Sequence, residues 1–215
     1  MKPTDLLCWG GLGLAATPAP AQSPPPAEVR RYGIEVAGLR VGTMTATRQP
    51  QNQADVVYTL VSDVQVNFLV YHLVVYYKVV NRVRNGQLLL STVEAHTNQG
   101  NFASRTEWRG DHYDIVADQY KHHYRSTERQ PITYTVTDLF FGPPGPAQPR
   151  AYAEYFGDYF TLSPAAGRGY HARRAGREDD YQYLNGQLTT IVKKNPVKNF
   201  VIRRLPDADA QARPR

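Results

Sequence analysis

The clearest pattern in this chain is an alternation of apolar and polar residues over positions 55–67. Leu60 and Val64 fall on one parity, whereas Asp63 and Gln65 fall on the other. A period of two places successive side chains on opposite faces of a strand. The pattern therefore predicts a strand with one dry face and one wet face, which is typical of an antiparallel sheet.

Turn signals divide the remaining chain into further strands. Asn85 and Gly86, and again Asn185 and Gly186, form the dipeptide that favours a type I′ hairpin turn, because both central residues of that turn need a positive φ. The strands that we expect are rich in β-branched and aromatic residues and cover approximately 32–36, 40–47, 55–66, 70–84, 88–93, 103–109, 112–117, 120–127, 132–136, 169–174, 178–184, 187–194 and 200–205.

These elements predict an all-β protein with a single domain over residues 31–205. No helix longer than two turns is expected, and successive strands are joined by short turns. A sheet of about a dozen strands rarely stays flat and open. We therefore expect a long antiparallel meander that curls into a half-open or nearly closed barrel, with at most short helices.

The N-terminus has the features of an export signal over residues 1–21. Residues 6–16 form an apolar run that is too short to span a bilayer, and residues 19–21 have the small-x-small form of a cleavage site. Cys8, the single cysteine, lies in that run without a convincing lipoprotein motif before it. We therefore expect an exported protein, periplasmic or secreted, whose mature form has no thiol.

The basic composition is explained first by solubility, with an anionic envelope partner as the alternative. The net charge is +6, and no later segment is apolar enough to cross a membrane. Outside the cytoplasm, basic charge suits anionic lipid or an envelope polymer better than nucleic acid. Lys193, Lys194, Arg203 and Arg204 concentrate part of this charge, and we interpret them as protecting a strand edge, with a phosphate-bearing partner as the alternative.

Two further segments are predicted to lack a fold of their own. Residues 22–30 contain consecutive prolines and are interpreted as a tether, and residues 206–215 as a disordered tail.

Candidate chemistry is sparse. His112 and Asp114 would share one face of a strand, where the carboxylate could orient the imidazole or both could contribute to a metal site. Alternation alone often produces such a pair. Residues 177–180 bring three carboxylates together but lack the spaced oxygen ligands of a calcium loop. We therefore assign no metal site and no cofactor.

The aromatic content suggests a ligand-binding face. Fifteen tyrosines could line a groove, or they could simply fill a wide core between sheet faces. If one sheet face is concave and open, apolar strand residues and aromatics should line it together. Our candidates for this face are Tyr58, Leu60, Val64, Val66, Tyr77, Tyr155 and Tyr159.

Several motifs, in their order along the chain, resemble an uncharacterised family of exported bacterial β-rich proteins. The opening hairpin is also similar to a wider exported group with a large curved antiparallel sheet, like that of periplasmic lipoprotein carriers. Neither resemblance implies an activity or a catalytic residue for this chain. The matching segments are 32–44, 62–68, 76–80, 107–113, 151–160 and 193–200.

Three functions are compatible with these features. The first is an exported, non-enzymatic envelope protein that binds a lipid or another hydrophobic ligand on the concave sheet face. The alternatives are a hydrolase or metal-dependent enzyme that uses His112 and Asp114, and a purely structural interaction protein. A dry cavity would favour the first, convergent His and Asp side chains in a cleft the second, and a filled interior the third.

The export signal predicts that the mature chain begins at Gln22. N-terminal sequencing of the exported form measures this directly, because signal peptidase cleaves after the small-x-small motif. Recovery of a lipid-modified Cys8 at the N-terminus would contradict the prediction and identify a lipoprotein.

Overall fold

The structure is a computed structural model that describes residues 25–68, 71–194 and 199–206. The predicted signal peptide, the first part of the tether and nearly all of the tail lie outside these residues. Two short 3₁₀ turns span Asp138–Phe140 and Ala166–Arg168. The strands are β1 Glu28–Val36, β2 Leu39–Pro50, β3 Asp55–Phe68, β4 Tyr71–Arg84, β5 Gln87–Thr97, β6 Gly100–Trp108, β7 Tyr113–Gln119, β8 His122–Glu128, β9 Arg150–Ala153, β10 Asp158–Ala165, β11 Gly169–Arg174, β12 Arg177–Leu184, β13 Gln187–Lys193 and β14 Phe200–Arg204.

In the described part of the chain, all fourteen strands belong to one antiparallel sheet. Each strand pairs with its neighbour in the chain, except that β8 and β9 do not pair, and β1 pairs with β14, as in Ile34 opposite Ile202. The first and last strands therefore meet in the middle of the sheet, and β8 and β9 form its two edges. The predicted all-β meander, curled into a barrel that does not close, is confirmed. Among the described residues, no helix is long and apolar enough to span a membrane.

The two edges of the sheet overlap instead of pairing. Strand β9 buries side chains on both faces, with Ala151 and Ala153 in the main core and Tyr152 in a second apolar cluster with Tyr113 and Ile115 of β7. The Tyr152 hydroxyl lies 2.6 Å from Thr106 Oγ1 on β6. One edge of the rolled sheet therefore lies against the inner face of the other, and side chains hold the barrel together there.

Gly157, in the turn between β9 and β10, makes this overlap possible. Its φ is 69°, and a Cβ atom there would lie 2.6 Å from Ile115 Cγ2 and 3.3 Å from Ala117 Cβ. Only glycine combines this backbone conformation with so close an approach. Beside it, Ser104 Oγ donates a hydrogen bond to the Tyr155 carbonyl at 3.0 Å.

The expected strand over residues 132–136 is wrong. The segment makes only a single parallel bridge, between Thr135 and Tyr152, before the chain turns into the 3₁₀ turn at Asp138. The Ile132 carbonyl accepts a hydrogen bond from the Leu88 amide, so the segment is bound at both ends without joining a ladder. Its β-branched residues are explained by burial instead, since Ile132 is fully buried.

Both hairpin turns adopt the geometry that their sequence predicts. Asn85 and Gly86 have φ values of 49° and 78°, and Asn185 and Gly186 have 51° and 75°. Positive φ at both central residues is the requirement of a type I′ turn.

We predict that Gly86→Val lowers the free energy of unfolding by more than about 1 kcal/mol, because a β-branched residue is strained at positive φ. No atom lies within 4 Å of the added Cβ, so the loss would come from the backbone conformation alone. Chemical denaturation measures the change. Gly145→Val is the matched control, at an exposed glycine that also has open space and no positive φ. Equal midpoints for the two variants would contradict the turn assignment.

Candidate functional site

One end of the barrel is closed by the segment Asp138–Phe141, which we call the plug. Arg30 Nη1 on β1 donates a hydrogen bond to the Phe140 carbonyl at 2.7 Å, and the Tyr183 hydroxyl on β12 donates to the Leu139 carbonyl at 2.8 Å. Leu139 and Phe140 are buried. Carbonyl groups that would otherwise be buried without partners are therefore satisfied by side chains from two strands of the wall.

Aromatic contacts hold the same plug. Tyr32 packs edge-to-face on Phe140, and Tyr58 does so on Phe141, each with ring centroids 5.4 Å apart. The Arg30 guanidinium lies 5.3 Å from the Phe141 ring centroid. Edge-to-face pairs and cation–π contacts add to the burial of apolar surface, so the plug is a packed part of the core.

The other end of the barrel contains a cavity of about 530 Å³ that opens to solvent. On β1 and β3, Arg30 and Tyr58 contact the plug, whereas Ile34 and Val64, further along the same strands, line the cavity. The plug and the cavity therefore occupy opposite ends of the barrel. The lining is mostly apolar and aromatic, and includes Ile34, Met44, Val64, Leu73, Val75, Tyr77, Ala95, Phe102, Val136, Tyr155, Phe156, Phe160, Phe200 and Ile202.

Three of the residues expected on a concave ligand face are in the cavity wall. Val64 is contributed by β3, Tyr77 by β4, and Tyr155 by the turn after β9. The Tyr77 and Tyr155 ring centroids lie 6.1 Å apart, so the turn after β9 contacts the inner face of β4. Burial, followed by the charge of Glu154, raises the pKa of Tyr77 well above its usual value, so its phenol is a neutral polar group.

The other four expected residues lie elsewhere. Leu60 and Val66 are buried in the main core and do not line the cavity. Tyr58 packs against the plug at the closed end. Tyr159 belongs to the second cluster, with its ring centroid 5.3 Å from that of Tyr152 and beneath the Arg150 guanidinium. The structure therefore brings together only part of the expected set.

Glu154 lines the cavity and was not identified from the sequence. Only 3% of its surface is exposed. Its Oε1 atom accepts hydrogen bonds from Asn81 Nδ2 at 2.8 Å and from the Thr137 amide at 3.1 Å. The available signal was an acidic residue between Ala153 and Tyr155 in the aromatic run of residues 151–160, because charged residues are rarely buried unless they are paired.

The mouth of the cavity has charged groups that mostly pair with one another. Lys193 Nζ lies 2.7 Å from an Asp179 oxygen, and Lys194 Nζ lies 2.7 Å from Glu178 and 3.4 Å from Asp180. Our interpretation that these lysines protect a strand edge is wrong, because β13 and β14 are internal strands of the sheet. Arg177 is the first residue of β12, and its guanidinium lies 5.2 Å from the Phe156 ring centroid.

His171, Glu178 and Asp180 form a cluster with the residue types of a metal site. Their ligand atoms lie within 4.8 Å of one another, and His171 Nδ1 is 2.6 Å from Asp180 Oδ1. Both carboxylates, however, already interact with Lys194. The side-chain hydrogen bond from Lys194, with smaller contributions from Arg173, holds the pKa of Glu178 below its usual value. The cluster is explained as an ion-pair network that joins β11, β12 and the end of β13.

The His112–Asp114 pair is present but stands apart from the cavity. His112 Nε2 lies 3.3 Å from Asp114 Oδ1, and Arg109 Nε donates a hydrogen bond to Asp114 Oδ2 at 2.8 Å. That hydrogen bond is the main reason why the pKa of Asp114 is lowered. Asp114 and Arg109 also line a broad surface groove of about 640 Å³ in which Glu107 is likewise paired with arginine. The arrangement is that of a surface ion-pair network.

The chain belongs to a family described as a domain of unknown function, DUF6134, whose model matches residues 32–205. This confirms the resemblance to an uncharacterised β-rich family. One similar solved structure is a beta-barrel-like protein of domain of unknown function DUF1849 from Brucella abortus, with 6% identity and a TM-score of 0.49. The similarity covers 83% of this chain and 95% of that one. No curated protein matches the sequence significantly.

The plug carries a titratable group whose effect on stability we can predict. Burial raises the pKa of Asp138 to about 6 from 3.8, although hydrogen bonds from Thr135 oppose the shift. The native state therefore keeps this proton at pH values where the unfolded chain has released it. The free energy of unfolding should fall as pH rises from about 4 to about 6, by up to about 3 kcal/mol.

Asp138→Asn should remove this pH dependence, because asparagine can still accept the Thr135 hydrogen bonds but does not titrate. Chemical denaturation of both proteins at about pH 4 and about pH 7 measures the difference. Asp63→Asn, at an exposed position, is the control. Parallel pH profiles for the native protein and Asp138→Asn would contradict the prediction.

Proposed function

We propose that this is an exported, non-enzymatic envelope protein that binds a lipid or another hydrophobic ligand inside its half-open barrel. The observation that carries the proposal is the apolar cavity of about 530 Å³ at the open end. Ligand sites are typically clefts of about 300–1,000 Å³ that are largely apolar, with a few polar groups to fix orientation. Tyr77 and Glu154 are such polar groups here.

The shape of the barrel supports a ligand that enters from one side only. The plug fills the far end, where Leu139 and Phe140 are buried and their carbonyl groups are bonded to Tyr183 and Arg30. An apolar chain that enters the mouth would lie along the β4 wall and cover apolar surface that is otherwise exposed to water. Removing that surface from water is favourable by about 25 cal/mol per Å².

The export signal supports the proposed location. The apolar run at residues 6–16 and the small-x-small motif at residues 19–21 have the form of a signal that directs a chain out of the cytoplasm. A hydrophobic ligand in an envelope compartment would need a carrier or a binding protein, because such molecules are poorly soluble in water.

The proposal does not involve the His112–Asp114 pair. That pair lies on the outer surface, and Asp114 is engaged by Arg109. A catalytic base needs a substrate within hydrogen-bond reach, whereas neither His112 nor Asp114 lines the cavity. A purely structural role is the alternative that the following experiment distinguishes.

We predict that a hydrophobic reporter dye binds the folded protein, that a long-chain lipid displaces it, and that Val75→Trp weakens dye binding at least about tenfold. Val75 points into the cavity from β4, so an indole there would occupy the volume that the ligand needs. A fluorescence titration measures the affinity, and each tenfold loss corresponds to about 1.4 kcal/mol.

Val74→Trp is the matched control, because the neighbouring residue of β4 points to the opposite face. It should bind the dye as tightly as the native protein does. If the native protein binds no dye, or if both tryptophan variants bind it equally well, the ligand-binding proposal fails and the structural role takes its place.

A further inference from the structure

Two acidic residues line the cavity, and in the described part of the chain only Asp179 has a cationic partner, whereas Glu154 has none. Its carboxylate is within ion-pair distance of no lysine, arginine or histidine in the described part of the chain, whereas Asp179 is paired with Lys193. Asn81 and the Thr137 amide both donate to the same oxygen, Oε1. The second oxygen, Oε2, accepts no hydrogen bond from any described residue.

A nearly buried carboxylate without a cationic partner is costly. Removing a charged group from water without full compensation costs several kcal/mol, and the two donors of Glu154, the Asn81 amide group and the Thr137 backbone amide, are both neutral. Glu154 is 3% exposed, and its neighbours in the wall include Val136, Ala153 and Tyr155. At a purely structural position, burying an apolar side chain would cost less free energy than burying a carboxylate. The retained carboxylate therefore indicates a group that interacts with the ligand.

We propose that Glu154 selects an apolar ligand whose inner end carries a hydrogen-bond donor, a hydroxyl or an ammonium group. This inference rests on the proposed function. The donor would bind Oε2, while Asn81 and Thr137 hold Oε1 and so fix the orientation of the carboxylate. The remaining apolar part of the ligand would extend along the wall toward the mouth, past Val75.

The opposite ligand orientation, with an anionic head at the mouth, is less well supported. Lys193 and Lys194 are already neutralised by Asp179, Glu178 and Asp180. Arg177 is exposed, and an exposed cation contributes little binding energy because water and salt screen it. Glu154, in contrast, acts in an apolar surrounding where a hydrogen bond to a charged group is strong.

The test compares three ligands with the same chain and different heads: dodecanol, dodecylamine and dodecanoate. Displacement of the reporter dye from the full-length protein measures each affinity. We expect the alcohol and the amine to bind at least about tenfold more tightly than the carboxylate, as one hydrogen bond to a charged group implies. The net charge of +6 would favour dodecanoate, so this ranking cannot come from the overall charge.

Glu154→Gln makes the test specific. The glutamine carbonyl oxygen can still accept from Asn81 and Thr137, and its amide group then presents a donor to the ligand instead of an acceptor. The variant should lose the preference for the alcohol and the amine and gain affinity for dodecanoate. Asp63→Asn removes the same charge from an exposed position on β3 and should keep the native ranking.

The outcomes separate this inference from the function on which it rests. If all three ligands bind the native protein equally, or dodecanoate binds best, the role of Glu154 is overturned while ligand binding stands. If Glu154→Gln binds the dye normally and keeps the native ranking, the role is overturned as well. If none of the three displaces the dye and the dye itself does not bind, the proposed function fails.

Discussion

The rest of the structure depends on the contact between the two edges of the sheet. A meander of fourteen strands has no backbone reason to stop at a particular curvature, and here β8 and β9 do not pair. The overlap is set by side chains: Tyr152 bonded to Thr106, and Gly157 pressed against Ile115. A bulkier residue at Gly157 would push the edges apart and widen the barrel. The width of the interior, and so the existence of a cavity, follows from this contact.

The two ends of the barrel interior differ in what fills them. At one end the chain itself supplies the filling, because the segment after β8 folds inward and places Leu139 and Phe140 between Arg30 and Tyr183. At the other end no segment of the described chain does so, and the wall opens into the cavity. The same loop connects both, since Thr137, just before the plug, donates its amide to Glu154 at the cavity.

The sequence predicted the strands, and the face of the strand on which each residue lies, better than it predicted the position of a residue along the barrel axis. A period of two assigns a residue to a face, so Tyr58 and Val64 were rightly placed on the same side of β3. It does not say how far along the barrel axis each lies, and Tyr58 meets the plug while Val64 reaches the cavity. The edge strand β9 was not predicted for another reason. Its residues are buried on both faces, so apolar and polar residues do not alternate there. Residues 132–136 have β propensity, but burial in a connecting segment can impose the same composition.

The contrast between the two ends bears on stability as well as on binding. Side chains that border a cavity lack contacts on one side and forfeit dispersion energy that a close-packed core would have. The plug end shows that this chain can fill its own interior, with hydrogen-bonded carbonyl groups and edge-to-face aromatic pairs. Keeping an apolar wall and a nearly buried carboxylate at the other end therefore sacrifices native stability at one location. A ligand that supplied both an apolar chain and a donor for Glu154 would provide the missing packing and a hydrogen bond to the carboxylate together, and it would stabilise the fold more as its affinity and concentration rise.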